Sequence, residues 1–173
     1  MINFHSSLEQ LQSSEEFKKF RKKNPKSFLC AGFFVKDYEN NIETAQLDFF
    51  LPKNEKVMTF NLGEKIAFKE AETIKKEIFP EIKAADVKND LEQALTLAEL
   101  EGKKNNIEKF SKVISILQMA NQNIIWNLTC LAGLTMLRVH IDAFTGKILK
   151  SEKSSLFDII RVEKGKNNTD YIR

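Results

Sequence analysis

Residues 42–51, IETAQLDFFL, put Ala45, Leu47, Phe49 and Leu51 on alternate positions, and residues 56–62, KVMTFNL, do the same with Met58, Phe60 and Leu62. The loop Pro52-Lys53-Asn54-Glu55 between them fixes a register. Antiparallel pairing across it sets Phe49 opposite Met58, Leu47 opposite Phe60 and Ala45 opposite Leu62. It also sets Asp48 opposite Thr59 and Gln46 opposite Asn61. One face is then wholly apolar and the other largely polar. A slip of one residue would exchange the faces, so the segment is read as a hairpin lying on a core.

A second hairpin is predicted from IIWNLTCL (124–131), the turn Ala132-Gly133 and LTMLRVHID (134–142). A two-residue loop pairs Trp126 with Val139, Leu128 with Leu137 and Ile124 with Ile141. The opposite face holds Asn127, Thr129, Arg138 and His140 beside Ile125 and Met136. The turn from Asp142 to Gly146 leads into a third strand, KILKS; Asp can accept its own downstream N–H groups there, and Gly can take positive φ. Upstream, FLCAGFFV (28–35) reads as a buried strand followed by the turn-rich KDYENN.

Helices are predicted around these strands. Ser13-Ser14-Glu15-Glu16 resembles a capping box, and FKKFRKK sets Phe17 and Phe20 on one helical face before Pro25 ends the run. Residues 64–78, 86–101 and 106–120 carry apolar side chains at helical spacing, with Gly102 in a C-terminal capping place. A short apolar helix or strand is expected over Leu156–Ile160. The expected class is α+β: two helix-plus-three-stranded antiparallel meander units, with the sheet or sheets covered on one face by helices. Residues 1–80 form the N-terminal half, 81–163 the C-terminal half and 164–173 a disordered tail. One compact domain is an open alternative, and so are one six-stranded sheet and two separate sheets.

At 173 residues with a formal charge of +3, mixed along the chain, the protein can bury a substantial core and does not have the charge of a nucleic-acid-coating protein. The N-terminus lacks the basic-then-apolar layout of a secretory signal, and no apolar run approaches the ~20 residues of a membrane span. Two cysteines, Cys30 and Cys130, lie in apolar strands and read as buried free thiols. A cytoplasmic location without membrane contact is expected.

The helical VKNDLEQALTLAELEG and the later LRVHIDAFTGKIL resemble PepSY domains and their cystatin-like relatives over residues 86–151. The sharpest matching positions are Asp142, Ala143, Thr145 and Gly146. The resemblance implies a non-catalytic module that binds proteins or modulates peptidases, and it supplies no catalytic residue. The chain departs from it in the helix expected at 106–120.

Direct searches for chemistry give little. His5 falls in a stretch expected to be mobile. His140 shares a strand face with Arg138 and Asp142, which suits either a pH-sensitive cluster or an ordinary wet face. Cys130 and His140 fall on opposite faces and so do not form a nucleophilic pair. No zinc-ligand spacing or phosphate-binding, nucleotide-binding or hydrolase motif occurs, and Glu70, Glu72, Asp90 and Glu92 read as the wet faces of helices. No enzyme activity, metal or cofactor is expected. The densest charge, KKFRKKNPK, offers Lys18, Lys19, Lys22 and Lys23 to phosphates with Phe17 and Phe20 between them. The competing reading, which is favoured, docks both rings and leaves the lysines solvated.

The expected function is a protein-interaction or regulatory module that presents a sheet face or edge, with Ile125, Asn127, Thr129, Met136, Arg138 and His140 as contact residues. The alternative is a small apolar-ligand carrier whose cavity is lined by Phe28, Phe33, Phe34, Phe49, Phe60 and Trp126.

Overall fold

The structure, a computed structural model, describes residues 2–72 and 79–157. Within them lie three α-helices, α1 (Phe4–Ser13), α2 (Glu15–Lys23) and α3 (Leu91–Lys104). The strands are β1 (Phe28–Asp37), β2 (Ile42–Leu51), β3 (Lys56–Leu62), β4 (Ile66–Glu72), β5 (Lys112–Ala120), β6 (Asn123–Ala132), β7 (Thr135–Asp142) and β8 (Ile148–Ser155). All eight form one antiparallel sheet in the order β4-β3-β2-β1-β5-β6-β7-β8. The chain is thus a mixed α/β protein dominated by sheet, and residues on both sides of position 80 share that sheet.

The first hairpin has the expected pairing throughout, including Phe49 with Met58, Leu47 with Phe60 and Gln46 with Asn61. The second lies two residues from its expected register: Trp126 faces Ile141, Leu128 faces Val139 and Ala132 faces Thr135. Its loop is Gly133-Leu134, with Gly133 at φ 57° in the first central position, where a type II′ turn requires glycine. A two-residue shift preserves which face each side chain takes, so the facial assignments stand.

Two expected helices are strands. Residues 66–72 form the edge strand β4 and 112–120 form the central strand β5, while 73–78 lie outside the described residues. Ile114 and Leu117 fit a helical period, yet Val113, Ser115, Leu117 and Met119 also fit a period of two. The pairing of β5 with both β1 and β6 decides between them. Asn121 and Gln122, at φ 49° and 67°, make a two-residue turn into β6. The third expected helix begins at Leu91, and Gly102 sits inside it; the cap is Asn105. An added Cβ at Gly102 would stand 2.7 Å from the Phe110 ring, so close packing explains this glycine. β8 runs on to Ser155. Residues 158–160 of the expected final element, and all of 164–173, lie outside the described residues.

One sheet face carries the core. A row of side chains crosses it from Phe60 through Leu47, Gly32, Leu117 and Trp126 to Ile141. Phe4, Leu8 and Leu11 of α1, Phe17 and Phe20 of α2, and Leu91, Ala94, Leu95 and Ala98 of α3 pack with that row in one apolar cluster. Trp126 is fully buried, and its Nε1 donates to the Asn89 carbonyl at 2.8 Å. The coarse expectation of antiparallel sheet with helices therefore holds.

Candidate interaction face

Alternation along the strands sends the remaining side chains to the other side of the sheet. The three central strands give that side an apolar stripe: Phe33 and Val35 from β1, and Ile114 and Ile116 from β5, all partly exposed, with Ile125 from β6 beside them. None of these five belongs to the cluster that the helices cover. Around the stripe lie Gln46, Asp48, Asn127, Thr129, Arg138 and His140.

The six residues nominated from sequence all reach this face, with Asn127 opposite His140, Thr129 opposite Arg138 and Met136 opposite Leu131. Ile125 and Met136, however, are only 6% and 4% exposed. Asn127, Thr129, His140 and above all Arg138 stay accessible. Phe33, Val35, Ile114 and Ile116 were missed because β5 resembled a helix and β1, apolar on both faces, resembled a strand buried on both.

Burial, then the nearby Lys150 and Arg138 cations, holds the His140 pKa below its ordinary value. Lys150 pairs with Glu152 at 2.8 Å on the neighbouring strand. Asp48 is raised by burial while Gln46 donates to it at 3.0 Å. The face therefore combines an apolar centre with hydrogen-bonding side chains and, at β7, an arginine that lies opposite Glu152 of β8. Cys130 is fully buried on the core side, away from His140, and burial pushes its thiol up to about 12. Cys30 is also buried, its Sγ donating to the Asp48 carbonyl at 3.3 Å, and burial with the Asp48 charge raises it to about 12.

The other nominated residues resolve differently. Phe17 and Phe20 are buried against Phe49 and Phe60 at centroid distances of 5.0–6.1 Å, so neither ring is free to stack on a base. Lys18, Lys19, Lys22 and Lys23 are exposed, with Lys18 bound to Glu15. Of the six rings proposed to line a cavity, Phe34, Phe49, Phe60 and Trp126 fill the core, whereas Phe28 and Phe33 point to the other face; they do not surround one void. His5 is held in α1: its Nδ1 lies 2.6 Å from Asp90 Oδ2. Asp90 is a buried cap for α3, and Glu70 lies on strand β4 and pairs with Lys56 of β3, so neither is on the wet face of a helix. Among the described residues no helix is long and apolar enough to cross a membrane, and no group of three or more His, Cys, Asp or Glu side chains is arranged to hold a metal.

No protein-family model matches the chain. No curated protein matches it in sequence. Its fold is similar to the crystal structure of a putative lipoprotein (CD1622) from Clostridium difficile 630, at TM-score 0.53 and 13% identity, over 81% of this chain and 91% of that one. At that identity the likeness concerns the fold alone.

Proposed function

We propose that the protein is a non-catalytic interaction or regulatory module that binds a protein partner with the sheet face that α1, α2 and α3 leave uncovered. The observation that carries this reading is the stripe of Phe33, Val35, Ile114 and Ile116 across the sheet centre, outside the helix-covered core and bordered by hydrogen-bonding side chains. An apolar centre with a polar rim and an arginine suits a protein interface. The nucleophilic candidates fit the same reading, since both thiols are buried and held protonated.

The proposal includes kinship with PepSY-like domains over residues 86–151. In its support, α3 is followed by the meander β5–β8, and the helix once expected at 106–120 no longer interrupts the likeness. It also reads the molecule as two helix-plus-meander units joined through β1 and β5, each with four strands where three were expected, since strand order runs outward from that pair in both directions. Two buried free thiols suit a reducing, cytoplasmic setting.

The test is capture from native lysate, with nuclease treatment and a high-salt wash, by wild type and by Asn127→Ala, Thr129→Ala, Arg138→Ala and His140→Ala variants. A specific protein that is lost with the Arg138 and His140 variants supports the site. Retention of every captured protein by all four variants removes it.

A further inference from the structure

We propose that the cavity between the α2–β1 turn and the β2–β3 turn binds a small molecule through a phosphate or pyrophosphate group. This site shares no residue with the interaction face and goes beyond that reading. The cavity measures about 510 Å³, the size of a small-ligand site, and is lined by Lys23, Lys26 and Lys53 over an apolar wall that includes Leu51.

Its charge is unbalanced. Among the described residues, three lysines and no carboxylate line the cavity. Lys23, Lys26 and Lys53 are exposed and have no carboxylate partner among the described residues. Cations gathered around one concavity repel each other, and a multivalent anion would relieve that repulsion. The helix dipole accounts for Lys23, in the last turn of α2, but not for Lys26 or Lys53, which lie outside any helix.

Both walls are held in place before any ligand arrives. Pro25 and Pro52 fix φ in the two turns. Arg21 donates from Nη1 to the Ser27 carbonyl and, at 3.0 Å, to Ser27 Oγ, which itself donates to the Asn24 carbonyl at 2.7 Å. Ordered walls lower the entropic cost of binding. A small ligand is favoured over a nucleic acid because no aromatic side chain lines the cavity among the described residues, so a base finds no stacking platform there.

The experiment is calorimetric titration of the full chain with sodium pyrophosphate at low salt. The expected result is saturable one-site binding that weakens at least about tenfold in a Lys23→Gln, Lys26→Gln, Lys53→Gln triple variant, as loss of charge-assisted contacts requires. A Lys18→Gln, Lys19→Gln variant should bind as wild type does. All five side chains are exposed, so the variants should keep wild-type circular dichroism and melting temperature. The proposal is overturned by absence of saturable binding, by undiminished binding in the triple variant, or by equal weakening in the double variant. It is also overturned if a thymidine oligonucleotide binds more tightly than pyrophosphate and loses that binding in the double variant, the mark of an extended nucleic-acid surface.

Discussion

The Asp142–Gly146 turn shows how single residues set this fold. Asp142 Oδ1 accepts from the Phe144 and Thr145 amides at 3.0 and 2.7 Å, and Gly146 takes φ 75° with Asn89 against it. Gly146→Ala should therefore cost about 1–2 kcal/mol, the penalty of a left-handed L-residue, measured as a lower urea midpoint with unchanged slope. This turn was legible because Asp and Gly carry their backbone chemistry in their identity. His5 was not legible: nothing beside it in sequence announces Asp90, and only folding brings the two together. The cysteines lie between these cases, since apolar neighbours implied burial and the structure supplies its consequence. With thiols pushed up to about 12, Cys30 and Cys130 should stay unreactive toward a disulfide reagent at pH 8 and react at the rate of global unfolding. Rapid labelling of the native protein would contradict their placement.

At the scale of elements, Asp90 ties two helices together. Its carboxylate accepts from the Phe4 and His5 amides at 2.7 and 3.1 Å at the start of α1, and from Leu91 N at the start of α3. Asp90→Ala should remove the α3 cap and the two bonds to the first turn of α1, whose own cap Asn3 remains, and cost about 2–3 kcal/mol, more than the ~1 kcal/mol of an ordinary N-cap. Amide exchange in α1 should accelerate before that in the strands. The β1–β2 and β1–β5 junctions meet at Asp37, which accepts from the Asn40 side chain and amide and pairs with Lys112 at 2.9 Å. Those hydrogen bonds, then the lysine, hold its pKa well below the ordinary 3.8. A depressed acid stabilises the fold above that ordinary value, and the contribution is lost as pH falls through and below it. Asp37→Asn should thus flatten the acid limb of a stability curve below about pH 4, read from urea midpoints across pH. Elements were read well where period and turn agreed, as in β2–β3. They were misread in β4 and β5, where the same apolar residues satisfy both periods and only pairing with distant strands selects one.

For the molecule as a whole, the consequence of that misreading was a missing half of the proposed interaction face. Once β5 is recognised as a central strand, Ile114 and Ile116 join Phe33 and Val35 in a stripe that the helices leave uncovered. The sequence had located the polar border through Asn127, Thr129, Arg138 and His140, because alternation alone determines faces even when register is off by two. It could not show which face α1, α2 and α3 cover, since that depends on long-range packing. The most direct measurement is oxidative side-chain footprinting of the protein in complex with a captured partner against the protein alone. The interaction reading predicts protection of Phe33, Ile116 and His140, with no change at Leu100 and Phe144, which are exposed away from the stripe. Protection at Leu100 or over the exposed side of α2, with Phe33, Ile116 and His140 as reactive as in the free protein, would contradict it.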